Sequence, residues 1–299
     1  MSAHHTAFVV ITSVLILVTA CKGTNPPPTP TPVPTVSPTP TPLQTKNISY
    51  IADGDPKQKL DIYLPAEGDK AFPILFAIHG GGGDKNDFSD LAAYLSKQGY
   101  ALVAINYREM PQFRHPVPLE DAFCALAWVQ ANGSTYNLGT RRIFAVGHSL
   151  GGTLAAMLAV TDDPADYMQN CPYVLEPHSI QGCVTFTGMF DYAAIVNDPN
   201  TGLRKYFSDY FGADLDKAPE LWTQASPVTW LDKSDPPFLL IHGSGDHNIS
   251  PDYSTSFADK LQEIGVGVKL LLIPGASHMS ILNSQKSFEA IKDFLENLP

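Results

Sequence analysis

Three short, almost unbroken apolar runs constrain this chain most: Pro73–Ile78 (PILFAI), Ala101–Ile105 (ALVAI) and Arg142–Val146 (RIFAV). A strand with one wet face alternates polar and apolar residues, so a strand apolar at nearly every position must be covered on both faces. Segments of helical composition lie between them: Asp87–Gln98 closed by Gly99, Leu119–Ala131 closed by Asn132-Gly133, and Leu150–Val160. Cys183–Phe186, Phe238–Ile241 and Lys269–Ile273 add strands, and Tyr253–Ile264 and Ser284–Leu295 add helices. This alternation predicts an α/β fold, with a mostly parallel central sheet and helices on both faces. Crossovers should be right-handed, and a ligand should bind beyond the carboxyl ends of the strands. A hairpin of Asn47–Ile51 and Lys59–Leu64, turning at Asp53-Gly54, is expected to open the domain. Gly188–Asp235 is too long for a simple crossover and rich in aromatics, Tyr206 and Trp222 among them. It reads either as a small cap segment or as ordinary packed helices.

The N-terminal 45 residues stand outside this pattern. Phe8–Ala20 is an apolar run of about 13 residues, short of the ~20 needed by a spanning helix. It suits the core of a secretory signal. The run ends in Val18-Thr19-Ala20-Cys21, which resembles a bacterial lipobox. The resemblance implies cleavage before Cys21 and acyl chains on Cys21. An uncleaved anchor, or a plain signal with a chance cysteine, are the alternatives. Thr24–Pro42 (TNPPPTPTPVPTVSPTPTP) cannot bury a core and should be an extended spacer, reaching about 60 Å at roughly 3.1 Å per residue. The expected organisation is a lipoprotein-type signal peptide at 1–20, a Pro/Thr-rich linker at 21–45 and one folded domain at 46–299. The chain would then be extracytoplasmic, held at a bacterial cell envelope by its lipid anchor.

With 19 Lys+Arg against 30 Asp+Glu, the net charge is -11. That balance argues against a nucleic-acid partner, which needs a basic face, and offers no polybasic patch for anionic lipid. Four cysteines without a C-x-x-C spacing suggest neither a disulfide framework nor a zinc or redox site. Beyond Cys21, Cys183 opens a buried strand and reads as a core thiol. Cys124 lies on a helix and Cys171 in a loop, and the compartment permits a bridge between them. Three free thiols is the other reading.

Gly147-His148-Ser149-Leu150-Gly151 fits G-x-S-x-G, and it follows an expected strand and opens an expected helix. In that context the serine sits on a sharp turn with its hydroxyl raised above the sheet. Ser149 is the candidate nucleophile. It needs a base, and the base needs an orienting acid. His278, in Pro274-Gly275-Ala276-Ser277-His278, follows the last strand at the end where a site should lie. Asp246, in His242-Gly243-Ser244-Gly245-Asp246, follows the strand before it. Asp252 also follows that strand, but at a helix start, where a first-turn acid is ordinary. His247 reads as a loop or rim residue.

Upstream, His79-Gly80-Gly81-Gly82-Gly83 follows the first buried strand. Four consecutive glycines cost backbone entropy, and the run lacks the lysine of a phosphate loop. With GHSLG, GSGD and GASH in this order, the chain from Asn47 to Pro299 resembles the α/β-hydrolases of the esterase/lipase branch. It is similar to the bacterial feruloyl-esterase-like and hormone-sensitive-lipase-like families. The resemblance implies an oxyanion hole formed by the N–H groups of Gly81, Gly82 and Leu150. It implies a serine carboxylic-ester hydrolase acting on a small or polysaccharide-linked ester, with no metal or cofactor. A peptidase or amidase on the same triad, or a surface binding protein on a dead hydrolase scaffold, are the rival readings. From the small size of Gly188–Asp235 we expect an open entrance and a shallow acyl pocket lined by some of its aromatics, suited to short-chain or aromatic acyl groups.

Overall fold

A computed structural model describes residues 43–298 apart from residue 69. The expected signal peptide, Cys21 and all but the last three residues of the linker lie outside the described residues. In chain order the elements are β1 (Leu43–Ser49), β2 (Lys59–Leu64), β3 (Phe72–Ile78), α1 (Ser89–Ser96), β4 (Ala101–Ile105), α2 (Val117–Asn132), β5 (Leu138–His148) and α3 (Leu150–Val160). They continue with β6 (Ile180–Phe186), α4 (Tyr192–Asn197), α5 (Arg204–Phe211), α6 (Pro219–Gln224), β7 (Phe238–Gly243), α7 (Pro251–Ile264), β8 (Val268–Ile273) and α8 (Gln285–Glu296).

The eight strands form one sheet in the order β1-β2-β4-β3-β5-β6-β7-β8. The β1–β2 and β2–β4 pairs are antiparallel and all others parallel. The expected mostly parallel sheet is therefore present. Period-two alternation splits each central strand between two cores. Ile74, Phe76, Ile78, Val103, Ile105, Ile143 and Ala145 face α2, α3 and α7. Leu75, Ala77, Leu102, Ala104, Phe144 and Val146 face α1 and α8. Each fully buried Leu, Ile or Phe contributes roughly 1.5–3 kcal/mol, which is why the doubly covered positions of these strands are apolar.

The strand expected at Asn47–Ile51 is instead Leu43–Ser49, whose first three residues belong to the expected linker. Six of its seven residues are exposed and Ile48 is half-buried, so it carries no hydrophobic period. Backbone pairing with β2, from Leu43–Leu64 to Ser49–Lys59, places it. The helix expected at Asp87–Gln98 starts as a 3-10 turn over Lys85–Phe88, because Asp84 and Asp87 form a capping box there, and becomes α-helical at Ser89.

Candidate active site

From β3 the chain moves to β4 on one side, then crosses back to β5 on the other. That reversal is the topological switch point at which ligands bind in open α/β sheets. The pairing of Ile78 with Gly147 sets the glycine loop after β3 beside Ser149. Ser149 adopts φ 53° and ψ -120°, a conformation rarely open to a side chain. Two features hold it there. Its N–H donates to the Phe186 carbonyl at 2.8 Å. The neighbouring glycines also let backbone close in: a Cβ on Gly147 would overlap the Gly151 carbonyl, and one on Gly151 would overlap the Ile78 carbonyl. Ser149 thus precedes the first turn of α3, where the unpaired N–H groups make the field positive.

β7 and β8 run side by side, with Gly243 opposite Ile273, so the loops that follow them meet. They are cross-braced by Gly245 N–H to the Ala276 carbonyl at 3.0 Å and Gly275 N–H to Ser244 Oγ at 2.9 Å. His278 Nδ1–H donates to Asp246 Oδ2 at 2.7 Å, which leaves Nε2 as the basic nitrogen. Asp246 also accepts the N–H groups of Asn248 at 2.8 Å and Ile249 at 3.0 Å. Burial alone would raise its pKa, but the bonds from His242, His278 and these two amides prevail and hold it well below the usual carboxylate range. A carboxylate so held stays ionised beside the imidazole throughout the neutral range.

Two histidines outside the expected set support this pair. His148 Nε2–H donates to the His278 carbonyl at 2.8 Å, with the two rings 4.7 Å apart, so it ties the base to the residue preceding Ser149. Burial first, then neighbouring His278, lowers His148 to about 4, so it is neutral at pH 7. Buried His242 lies behind Asp246, with Nε2 at 3.4 Å from Oδ2 and Nδ1 bonded to Ser254 Oγ at 2.7 Å. Asp252 sits in the first turn of α7 under a Ser250 cap, and His247 is exposed. Among the described residues no hydrogen bond joins Ser149 Oγ to His278. Such bonds commonly tighten only once substrate is bound.

At the glycine loop, His79 and Tyr107 act as a buttress. Their rings stack at 4.4 Å, and Tyr107 Oη donates to the His79 carbonyl at 2.9 Å. Of the three donors expected for an oxyanion, the structure engages one. Gly82 N–H donates to Glu109 Oε2 at 2.7 Å, because the segment after β4 brings that carboxylate to the loop. Among the described residues the N–H groups of Gly81 and Leu150 have no acceptor.

The segment expected as cap or packed helices contains three short helices, α4, α5 and α6, with their own core on Leu150. Of its aromatics, Tyr192, Phe207, Tyr210, Phe211 and Trp222 are buried among themselves, while Phe190 lines a cavity with Ala194, Val228, Tyr253 and Phe257. Tyr206 and Trp230 are exposed, and Tyr206 Oη stands against Gly81. Cys124 and Cys171 form a disulfide with Cα atoms 5.5 Å apart, tying α2 to the loop after α3, and Cys183 is a buried free thiol.

The BD-FAE family model matches residues 60–261. Among curated proteins, esterase LipC of Mycobacterium tuberculosis is 31% identical over 236 residues, covering 75% of this chain and 57% of LipC. Ethyl acetate hydrolase of Pseudomonas putida is 26% identical over 240 residues, covering 73% of this chain and 69% of that protein. The chain spans about half the length of the first curated relatives it matches, 57%, 45% and 54%. Among solved structures, a truncated carbohydrate esterase from gut microbiota superposes with TM-score 0.75 at 24% identity, over 87% of this chain and 97% of that one. Esterase B of Lactobacillus rhamnosis superposes with TM-score 0.72 at 22% identity, over 86% and 85%. At those identities the two structures speak for the fold alone. The family model, which matches most of the chain, and a sheet that places its loops at the switch point together make this chain a member of the BD-FAE family within the α/β-hydrolase superfamily.

Proposed function

We propose that the chain is a serine carboxylic-ester hydrolase acting through Ser149, His278 and Asp246. The observation that carries the reading is the 2.7 Å bond from His278 Nδ1–H to buried Asp246, in the loop that His148 ties to the strained Ser149 turn. His278 Nε2 takes the hydroxyl proton as Ser149 Oγ attacks the ester carbonyl. Asp246 keeps the imidazole in the reactive tautomer and stabilises the imidazolium. The free N–H groups of Gly81 and Leu150 receive the oxyanion; removing one such donor costs about 10²–10³ in rate. The imidazolium protonates the leaving alcohol, and water repeats the sequence on the acyl-enzyme. The relatives' names, an esterase and an ethyl acetate hydrolase, agree with this chemistry.

The preferred substrates are esters of short-chain or aromatic acids. The cap helices span only six, eight and six residues, too few to form a large lid for a long chain. Each methylene left in water forfeits about 0.8 kcal/mol of burial. The enzyme works outside the cytoplasm, held by acyl chains on Cys21; a disulfide between Cys124 and Cys171 suits such an oxidising compartment.

The test is kcat/KM over p-nitrophenyl esters of increasing chain length, with feruloyl and acetylated-sugar esters and a p-nitroanilide amide beside them. Ester turnover peaking at roughly eight carbons or fewer is expected from the burial argument, with Ser149→Ala inactive and natively folded. Amide turnover above ester turnover, or an active Ser149→Ala variant, refutes the reading.

A further inference from the structure

The glycine loop is one backbone donor short, and a carboxylate accounts for the deficit. Glu109 Oε2 accepts the Gly82 N–H at 2.7 Å, and the Glu109 side chain is 11% exposed. Its cationic neighbour, Lys57 Nζ, stands off at 3.5 Å. A charge so placed opposes an oxyanion forming on the same loop, so the hole needs another donor to offset it.

Tyr206 stands where such a donor is needed. It lies on α5, whose Phe207, Tyr210 and Phe211 are buried in the cap core, so the helix holds the Tyr206 ring in place from behind. The ring meets Phe207 edge-on at 5.3 Å. At its tip, a Cβ built on Gly81 would lie 2.8 Å from Tyr206 Oη and 3.9 Å from Leu150 Cδ2. Oη therefore overhangs the residue that carries one free N–H, on the side where the residue carrying the other also stands. Among the described residues Oη has no hydrogen-bond partner. Burial first, then the Glu109 charge, holds its pKa above the ordinary tyrosine value, so it keeps the proton it would donate.

We propose that the Tyr206 hydroxyl is a third oxyanion donor, acting with the N–H groups of Gly81 and Leu150 in place of Gly82. This rests on the esterase reading above. As Ser149 Oγ bonds to the carbonyl carbon, the C=O π pair moves onto oxygen, and Oη–H donates to that oxygen. Tyr206 keeps its proton throughout, and the hydrogen bond weakens as the carbonyl re-forms in the acyl-enzyme.

Tyr206→Phe removes only Oη and preserves the ring's contact with Phe207. The assay is kcat and KM on p-nitrophenyl acetate, together with the inactivation rate by a p-nitrophenyl phosphonate, whose tetrahedral adduct mimics the oxyanion. We expect kcat to fall by at least ~10-fold, within the range for one lost donor, with KM changed less than about two-fold and inactivation slowed in parallel. An unchanged kcat, or a loss confined to KM, overturns the assignment, since a contact made only to bound substrate would act on KM. A wild-type chain that hydrolyses no ester overturns the esterase reading and the assignment together. An active wild type matched by Tyr206→Phe overturns the assignment alone.

Discussion

Acid should destabilise this fold through histidines that burial keeps neutral, and His115 isolates the effect. Its ring packs against Tyr210 at 5.8 Å and Phe211 at 5.4 Å, and burial lowers its pKa from 6.5 to about 4. Because the folded pKa lies below the unfolded one, the unfolded chain binds the proton more readily. The stabilisation is complete above the unfolded pKa and is lost as the pH falls toward about 4. A shift of this size corresponds to about 3 kcal/mol in full, at 1.36 kcal/mol per pH unit. Between pH 7 and pH 5 the loss is about 2 kcal/mol by the same linkage. His115→Phe keeps an aromatic ring in the same slot but has nothing to protonate. Urea unfolding followed by fluorescence of the buried Trp128 and Trp222 measures the difference. The variant should lose about 2 kcal/mol less than the wild type over that interval. Parallel stability curves would mean that water reaches the ring and that the burial argument is wrong.

Three further outcomes follow from the site and its supports. Asp246→Asn keeps the shape but loses control of the His278 tautomer, so kcat should fall by about 10⁴ with little change in KM; steady-state kinetics decides, and a loss below ten-fold would remove Asp246 from the triad. Replacing Cys124 and Cys171 together by Ser opens a bridge of sequence separation 47. On chain entropy this costs about 4 kcal/mol, so Tm should drop by roughly 8–16 °C, whereas an unchanged Tm would show that the bridge does not form. Cys21→Ser should move the protein from the membrane fraction to the soluble one, because acyl chains are the proposed anchor; persistence in the membrane fraction would exclude lipid anchoring.

The sequence determined what depends on a local window. Apolar runs such as PILFAI had to be doubly covered strands, because no other arrangement hides every side chain. G-x-S-x-G between a strand and a helix had to be a tight turn, since any side chain at Gly147 or Gly151 meets backbone. Asp246 and His278 could be chosen as the candidate acid and base because parallel strands present their following loops at one end of the sheet. β1 lies upstream of the strand that hydropathy predicts, because a solvent-facing edge strand leaves no hydrophobic period and only its ladder to β2 places it. The remaining partners were decided by tertiary structure. Glu109 is 27 residues from the Gly82 N–H it occupies, and His148 is 130 residues from the carbonyl it holds. Tyr206 reaches Gly81 only because the cap core that holds α5 is built on Leu150, while Phe207, Tyr210 and Phe211 of the same helix turn inward. Which N–H stays free for an oxyanion thus depends on which loops the strand order brings together, and no run of neighbouring residues encodes that.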